Sequence, residues 1–290
     1  MSEILFLTAA DINFASSRYR GFWPAKYMRS AEAHVLDHAL TSGAPFKPDT
    51  KAVVFQKLYY APLMKFAHDQ GLRVIWDVCD PMWWYMPDDC REVLEHTDFI
   101  TASTQPLLDD LYDFYEDLDI ESEIIPDCFD MEHYQDTEHE EYQEGDDIWL
   151  IWYGHQNNRF ILLAHLSELT RLSRANDIPV RLTIMDGQKS NKWEENTFVI
   201  KQEQWHLEDE VQMTAAHHLA FLPSYPGLWG KLKSDNKHVH AGLCGLNVYD
   251  PVKPKAPLMK MLTWGQDEID EGWLKDHDAK LIAKQWEELA

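Results

Sequence analysis

One pattern constrains this chain more than any other: short, unbroken apolar runs rich in Ile, Val and Phe alternate with stretches of helical spacing. The runs cover residues 4–8, 52–55, 73–76, 99–102, 123–125, 148–153, 180–185, 198–200, 219–222 and 246–249. Between them, residues 58–68, 105–118 and 160–174 repeat apolar side chains every three or four positions, with Leu162, Leu166, Leu169 and Leu172 on one helical face. Continuous apolar runs suit parallel strands covered on both faces, so the chain reads as α/β throughout.

The alternation is interrupted once. Residues 130–147, DMEHYQDTEHEEYQEGDD, carry nine acids, no base and almost no aliphatic residue. This stretch reads as an exposed connector. The expected organisation is therefore a doubly wound, Rossmann-like domain over residues 1–130, an acidic connector over 131–147, and a second Rossmann-like domain over 148–270. A C-terminal helix within 271–290 is expected to pack back toward the first domain. Two such domains would face each other across a cleft, and in open α/β sheets ligands sit outside the carboxyl ends of the strands.

The charge is uneven. The chain has 50 acidic and 26 basic residues and a net charge of -24. Residues 74–147 alone hold 25 of the acids and one base, Arg91. The remainder is neutral overall, which disfavours a large basic face for duplex DNA. Two local surpluses of base, over residues 18–73 and 231–260, leave room for an anion pocket if they border one cleft. Cys79, Cys90, Cys128 and Cys244 form no C-x-x-C pair, so reduced thiols are expected. No apolar run approaches the roughly 20 residues of a membrane span, and the N-terminus lacks the basic start of a signal peptide. A cytoplasmic protein is expected, and no metal site is assigned to its histidines.

The loops after the strands carry the chemistry. Ser16, Ser17, Arg18 and Arg20 begin a helix after the first strand, where free N–H groups and two guanidiniums can meet one anion. Asp77 and Asp80 end another strand and precede Trp83 and Trp84, a pairing of carboxylates and indoles suited to a polyol; each tryptophan taken singly reads better as core. Gly154 follows the strand 148–153, with His155 and Arg159 behind it, as in a phosphate-binding turn. There is no G-x-G-x-x-G and no G-x-x-x-x-G-K-[ST]. Toward the C-terminus, Lys233, Ser234, Asn236 and Lys237 line up as polar donors.

In order, four segments resemble one group: SSRYRGFWPAKYM, AVVFQKLYYAPLMKFAHDQGLRVIWDVCDPMWW, TDFITASTQPLLDDLYDFY with EIIPDCFDMEHY, and LPSYPGLWGKLKSDNKHVHAGLCGLNVYD. They are similar to the large retaining, nucleotide-sugar-dependent glycosyltransferase family of GT-B architecture (glycosyl transferases group 1), and to its subgroup with an S-x-R-x-R first loop. The resemblance implies transfer of a hexosyl or pentosyl unit from a nucleotide-diphosphate sugar, such as a UDP-sugar, without a metal or other cofactor. It puts Arg159 and Lys233 on the donor diphosphate, together with Gly154, His155, Ser234, Asn236, Lys237 and His240. Asp80 and Arg18 would act at the reacting sugar, with Ser17, Arg20, Asp77, Trp83 and Trp84 on the acceptor side. His240 stands where the family has a glutamate, and Asn247 where it has a proline. The histidine motivates an alternative, a catalytically silent GT-B binding or scaffold module. The acceptor is open between a glycan, a small molecule and a hydroxymethylated base in phage DNA, and so is the oligomeric state.

Overall fold

The computed structural model describes residues 3–41, 46–135, 137–187, 191–195, 198–262 and 275–289, with the side chains of 39 and 191–198 left aside. The expected C-terminal ranges therefore fall partly, at 263–274, outside the described residues. The chain divides into two compact units: Met1–Met131 with Gly227–Ser234 and Lys275–Ala290, and Glu132–Pro226 with Asp235–Leu274. Residues 227–234 thus belong with the first unit, although they lie inside the 148–270 range.

The first unit is built on six parallel strands: β1 (Ile4–Thr8), β2 (Ala31–Val35), β3 (Ala52–Gln56), β4 (Arg73–Val78), β5 (Phe99–Ala102) and β6 (Ser122–Ile124), in the order β2-β1-β3-β4-β5-β6. Every residue of β1, β3 and β5 is buried, because helices cover both faces. The helices Ala61–Asp69, Pro87–Leu94 and Gln105–Phe114 contribute Met64, Ala67, Val93, Leu107 and Leu111 to this core. Thr104 caps the last of these helices by accepting from the Leu107 N–H, and Pro106 fits in its first turn, where no intrahelical donor is lost. The short helix Gly227–Leu232 sends Leu232 into the same core, and its carbonyl accepts from the Thr104 hydroxyl at 2.8 Å. The C-terminal helix Ala279–Leu289 buries Ile282, Ala283 and Trp286, with Trp286 edge-on to Phe6 of β1 at 5.1 Å.

The second unit holds β7 (Ile148–Tyr153), β8 (Val180–Asp186), β9 (Asn191–Glu195), β10 (Phe198–Gln204), β11 (Leu219–Phe221) and β12 (Asn247–Tyr249), ordered β12-β11-β7-β8-β10-β9. All pairs are parallel except the β9–β10 hairpin. The long helix expected over 160–174 is broken into Arg159–Leu163 and Leu166–Asn176, and Leu162, Leu169 and Leu172 still face the core. All ten apolar runs are strands. The two strands that sequence periodicity misses, β2 and β9, are edge strands, where one flank is open and no unbroken apolar run is needed.

Expected over 131–147, the acidic connector begins with a short helical turn, Met131–Tyr134, and its described residues from 137 to 147 form no helix or strand. It is anchored on the second unit: the Glu140 N–H donates to the Ala215 carbonyl at 3.0 Å, and the Tyr142 ring meets His218 edge-on. Beside it His217 is buried, bonded to the Met213 carbonyl at 2.8 Å and to the Thr183 hydroxyl at 2.6 Å. Burial brings its imidazole down to about 4.

Two stability predictions follow from this packing. Trp286→Ala should cost about 3–5 kcal/mol, because it empties a sealed site against β1; urea unfolding at neutral pH checks it. An imidazole with a depressed folded pKa favours the folded state above the unfolded value, near 6.5, and that contribution is lost as pH falls toward 4. Stability should therefore drop by up to about 3 kcal/mol on this account over that window, and His217→Gln should flatten the fall.

Candidate functional site

In each sheet the strand order reverses at one place, between β1 and β3 in the first unit and between β7 and β11 in the second. Crevices outside the carboxyl ends of strands open at such points. Several buried polar residues lie at or next to these strand ends, among them Thr8, Gln56 and Asp77 in the first unit and Asp186 in the second.

In the first unit, register aligns Thr8 with Gln56, Gln56 with Asp77, and Asp77 with Thr101, so one row of polar side chains crosses the carboxyl ends of β1, β3, β4 and β5. All four are fully buried. Arg20 neutralises the row: its Nε donates to Asp77 Oδ2 at 2.8 Å and its Nη2 to Asp77 Oδ1 at 2.5 Å, while Thr101 adds a donor at 2.7 Å. The Arg20 Nη1 reaches the Ile125 carbonyl at 2.6 Å and Asp127 at 3.2 Å. Burial opposes the charge on Arg20, but Asp77 and Asp127 outweigh it and hold the guanidinium firmly protonated. A π-helical turn over Arg18–Phe22 brings Arg20 inward, and Gly21 lets the backbone close on Thr8, whose methyl lies 2.6 Å from where a Cβ would stand.

Next to this pair sits a second charged group. Asp80 receives Lys57 on Oδ2 and Lys233 on Oδ1. Burial opposes ionisation of Asp80, yet the ammoniums of Lys233 and Lys57 prevail and hold its carboxyl below the ordinary range. Ser234 donates to Asp127 Oδ2 at 2.5 Å. Lys57 has a left-handed φ of +53°, rare for a residue with a side chain, and its N–H is held by the Asp77 carbonyl at 3.0 Å. Burial and Asp80 push the Cys79 thiol up to about 12, away from the thiolate form.

In the second unit, Gly154 follows β7 directly. A Cβ there would lie 2.7 Å from the Lys237 Nζ, so glycine is what lets the ammonium approach the backbone. Lys237 also lies over the Trp152 ring, 5.1 Å from its centre. Arg159 donates through Nε to Asp186 at the end of β8, while its Nη2 is buried with no hydrogen-bond partner among the described residues. Asp186 is completed by Gln202 of β10 at 3.1 Å. The ring of the exposed His155 caps the turn that follows, its Nδ1 accepting from the Asn157 N–H at 3.3 Å.

The sequence-derived residues thus fall into separate settings. Arg20 and Asp77 are used on one another. Arg18 bonds the carbonyls of Ile12 and Asn13 and packs over Tyr19 and Trp23, which shapes the first loop. Ser17 is fully buried, its hydroxyl unpartnered among the described residues. Trp83 is core, with no ring face to offer a ligand, and both it and Trp84 donate to Asp110 Oδ2, at 2.8 and 2.9 Å. Lys233 and Ser234, expected beside the donor, are bound to Asp80 and Asp127 of the first unit. Asn236 begins the helix Asn236–Leu243. On that helix His240 is buried, with Nδ1 at 2.9 Å from the Tyr134 hydroxyl and Nε2 at 3.0 Å from that of Thr214. Sequence reasoning missed Lys57, Asp127 and Asp186. Lys57 and Asp186 sit at strand ends and were open to the same rule that found Asp77.

No known family profile matches the chain, and no curated protein matches it in sequence. Solved structures do match in fold. A lipopolysaccharide outer core galactosyltransferase in apo form superposes with a TM-score of 0.64 at 10% identity, covering 98% of this chain and 98% of the other. A glycosyltransferase from Rickettsia africae ESF-5 gives 0.64 at 8% identity, over 99% and 97%. An alpha-glucosyltransferase in complex with UDP and a 13-mer DNA containing an HMU base gives 0.59 at 9% identity, over 99% and 89%. The chain has the GT-B fold. Among the described residues no helix is long and apolar enough to cross a membrane, and no group of three or more His, Cys, Asp or Glu is arranged to hold a metal ion.

The buried Arg20–Asp77 pair should be the structural pivot of the first site. Asp77→Asn or Arg20→Ala leaves an uncompensated buried charge and should cost about 3–5 kcal/mol, whereas the double change to an apolar pair should cost less than either. Denaturant midpoints of the three variants test this.

Proposed function

We propose that this protein is a glycosyltransferase that moves a sugar from a nucleotide-diphosphate sugar, with UDP-sugars first among candidates, to an acceptor. The observation that carries the reading is the cationic turn at the switch point of the second sheet. There Lys237 is drawn against the backbone of Gly154, and Arg159 keeps a buried N–H group with no partner among the described residues. A diphosphate would supply the acceptor oxygen that this N–H lacks and would be stabilised as it departs with its charge. Support comes from the fold, since the matched proteins include one in complex with UDP and another from Anabaena in complex with UDP-glucose, the latter at a TM-score of 0.51 and 12% identity. Retention of configuration and independence of a metal ion belong to the proposal and rest on the sequence resemblance.

Within this reading the donor diphosphate falls to Arg159, Lys237 and the N–H groups after Gly154. Asp80 with Lys57 and Lys233 is assigned to the acceptor side. A base in duplex DNA is disfavoured as acceptor. The basic surplus over 18–73 is spent internally: Arg20, Lys26, Lys47, Lys51, Lys57 and Lys65 all pair with carboxylates. A catalytically silent module is the second reading, favoured by His240, whose two ring nitrogens are engaged by Tyr134 and Thr214.

Calorimetry with UDP and GDP, and mass-resolved hydrolysis of their sugars, test the proposal. Arg159→Ala and Lys237→Ala should each raise the nucleotide Kd by about tenfold or more, the loss expected for a charge-assisted hydrogen bond. Gly154→Ala should act in the same direction by displacing the Lys237 ammonium. Binding of neither nucleotide at millimolar concentration would end the transferase reading, and binding without any turnover would favour the silent module.

A further inference from the structure

A cluster of aromatic side chains lies beside Asp80, joining Trp84 to two rings not named so far, Tyr85 and Trp229. Lys233, which pairs with Asp80, also sits 5.2 Å from the ring centre of Trp229. Trp229 meets Trp84 at 5.9 Å and Tyr85 at 5.7 Å, both T-shaped. Tyr85 is 68% exposed and Leu228 52%, the two most open large apolar side chains among the described residues of the first unit. The platform is rigidly supported from beneath, because the indoles of Trp83 and Trp84 converge on Asp110 and the helix carrying Trp229 is tied through its Leu232 carbonyl to Thr104. An open tyrosine edge-on to a tryptophan that itself meets a second tryptophan is unusual for plain surface and marks a surface for recognition.

The neighbouring charges select what can bind. Arg20, Lys57 and Lys233 are met by Asp77, Asp80 and Asp127, and Asp110 adds a fourth carboxylate under the two indoles. With no surplus of positive charge among these groups, a phosphate or a nucleic-acid backbone gains nothing here. An acyl chain would bury the ring faces but leave the polar end without a use. A neutral pyranose satisfies both ends: its axial C–H face is apolar and fits an aromatic ring, and its hydroxyls can exchange hydrogen bonds with the Asp80 carboxylate and the two ammoniums. We propose that Tyr85 and Trp229, with Asp80, Lys57 and Lys233 at their edge, form a binding subsite for a neutral pyranose ring. Assigning that ring as the acceptor rests on the transferase reading; the binding itself does not.

Saturation-transfer NMR on the full chain tests this, with methyl α-glucopyranoside, methyl β-galactopyranoside and maltose as probes and no nucleotide present. The expected result is transfer to the ring C–H protons of at least one probe, retained in Tyr85→Phe and weakened about tenfold in Kd or abolished in Tyr85→Ala. Tyr85 is exposed, so the alanine variant should fold, and its far-UV spectrum and melting curve check that. Absence of transfer with all three probes, or equal transfer in wild type and Tyr85→Ala, would overturn the proposal. So would Tyr85-dependent binding of single-stranded DNA or of phosphatidylcholine vesicles without saccharide binding. Calorimetry with UDP and GDP on the same samples separates the two ideas. Saccharide binding without binding of either nucleotide sinks the transferase reading and keeps this one, while nucleotide binding without saccharide binding does the reverse.

Discussion

The first unit is organised by a single buried charge pair, Arg20 with Asp77. A polar row at the carboxyl ends of four strands would ordinarily be expensive to bury, and the guanidinium resolves this by meeting both carboxylate oxygens, a backbone carbonyl and Asp127 at once. Once Asp77 is fixed, its carbonyl holds Lys57 in a left-handed conformation, and Lys57 in turn reaches Asp80. The first loop, the third and fourth strands and the segment after β6 are thereby locked to one another. Such a network holds its charges in fixed positions.

The two units solve the same problem with different materials. In the first, the cations at the strand ends pair with carboxylates, and the rings of Tyr85 and Trp229 lie beside them. In the second, Lys237 lies over Trp152 against Gly154, and Asp186 engages Arg159. The chain as a whole carries a large negative charge. Most of that negative charge belongs to residues 74–147, on helix surfaces such as Pro87–Leu94 and on the irregular connector.

Much of the fold was legible from the chain because burial on both faces forces unbroken apolar runs, and all ten such runs are strands. β2 and β9 escaped because edge strands need no such run. The helix over 160–174 was read as continuous although it breaks at residues 164 and 165, which periodicity of leucines cannot reveal. For the site, strand-end position identified Asp77, Asp80 and Gly154. It could not tell that Arg20 and Asp77 would bind each other or that His240 would be engaged on both ring nitrogens; Trp83, read as core when taken singly, is sealed there.

By itself, the sequence determined the α/β alternation, the acidic interruption near residue 130 and the strand ends at which chemistry would gather. These are local matters, decided by which side chains must leave water and by the backbone needs of single residues. Only the tertiary structure decided partnership. Lys233 and Ser234 lie far along the chain from Asp80 and Asp127, and nothing in spacing announces that residues 227–234 join the first unit. Ion pairs and hydrogen bonds act over a few ångströms of space regardless of separation along the chain. The donors of this site therefore found their acceptors only once the fold had set them side by side.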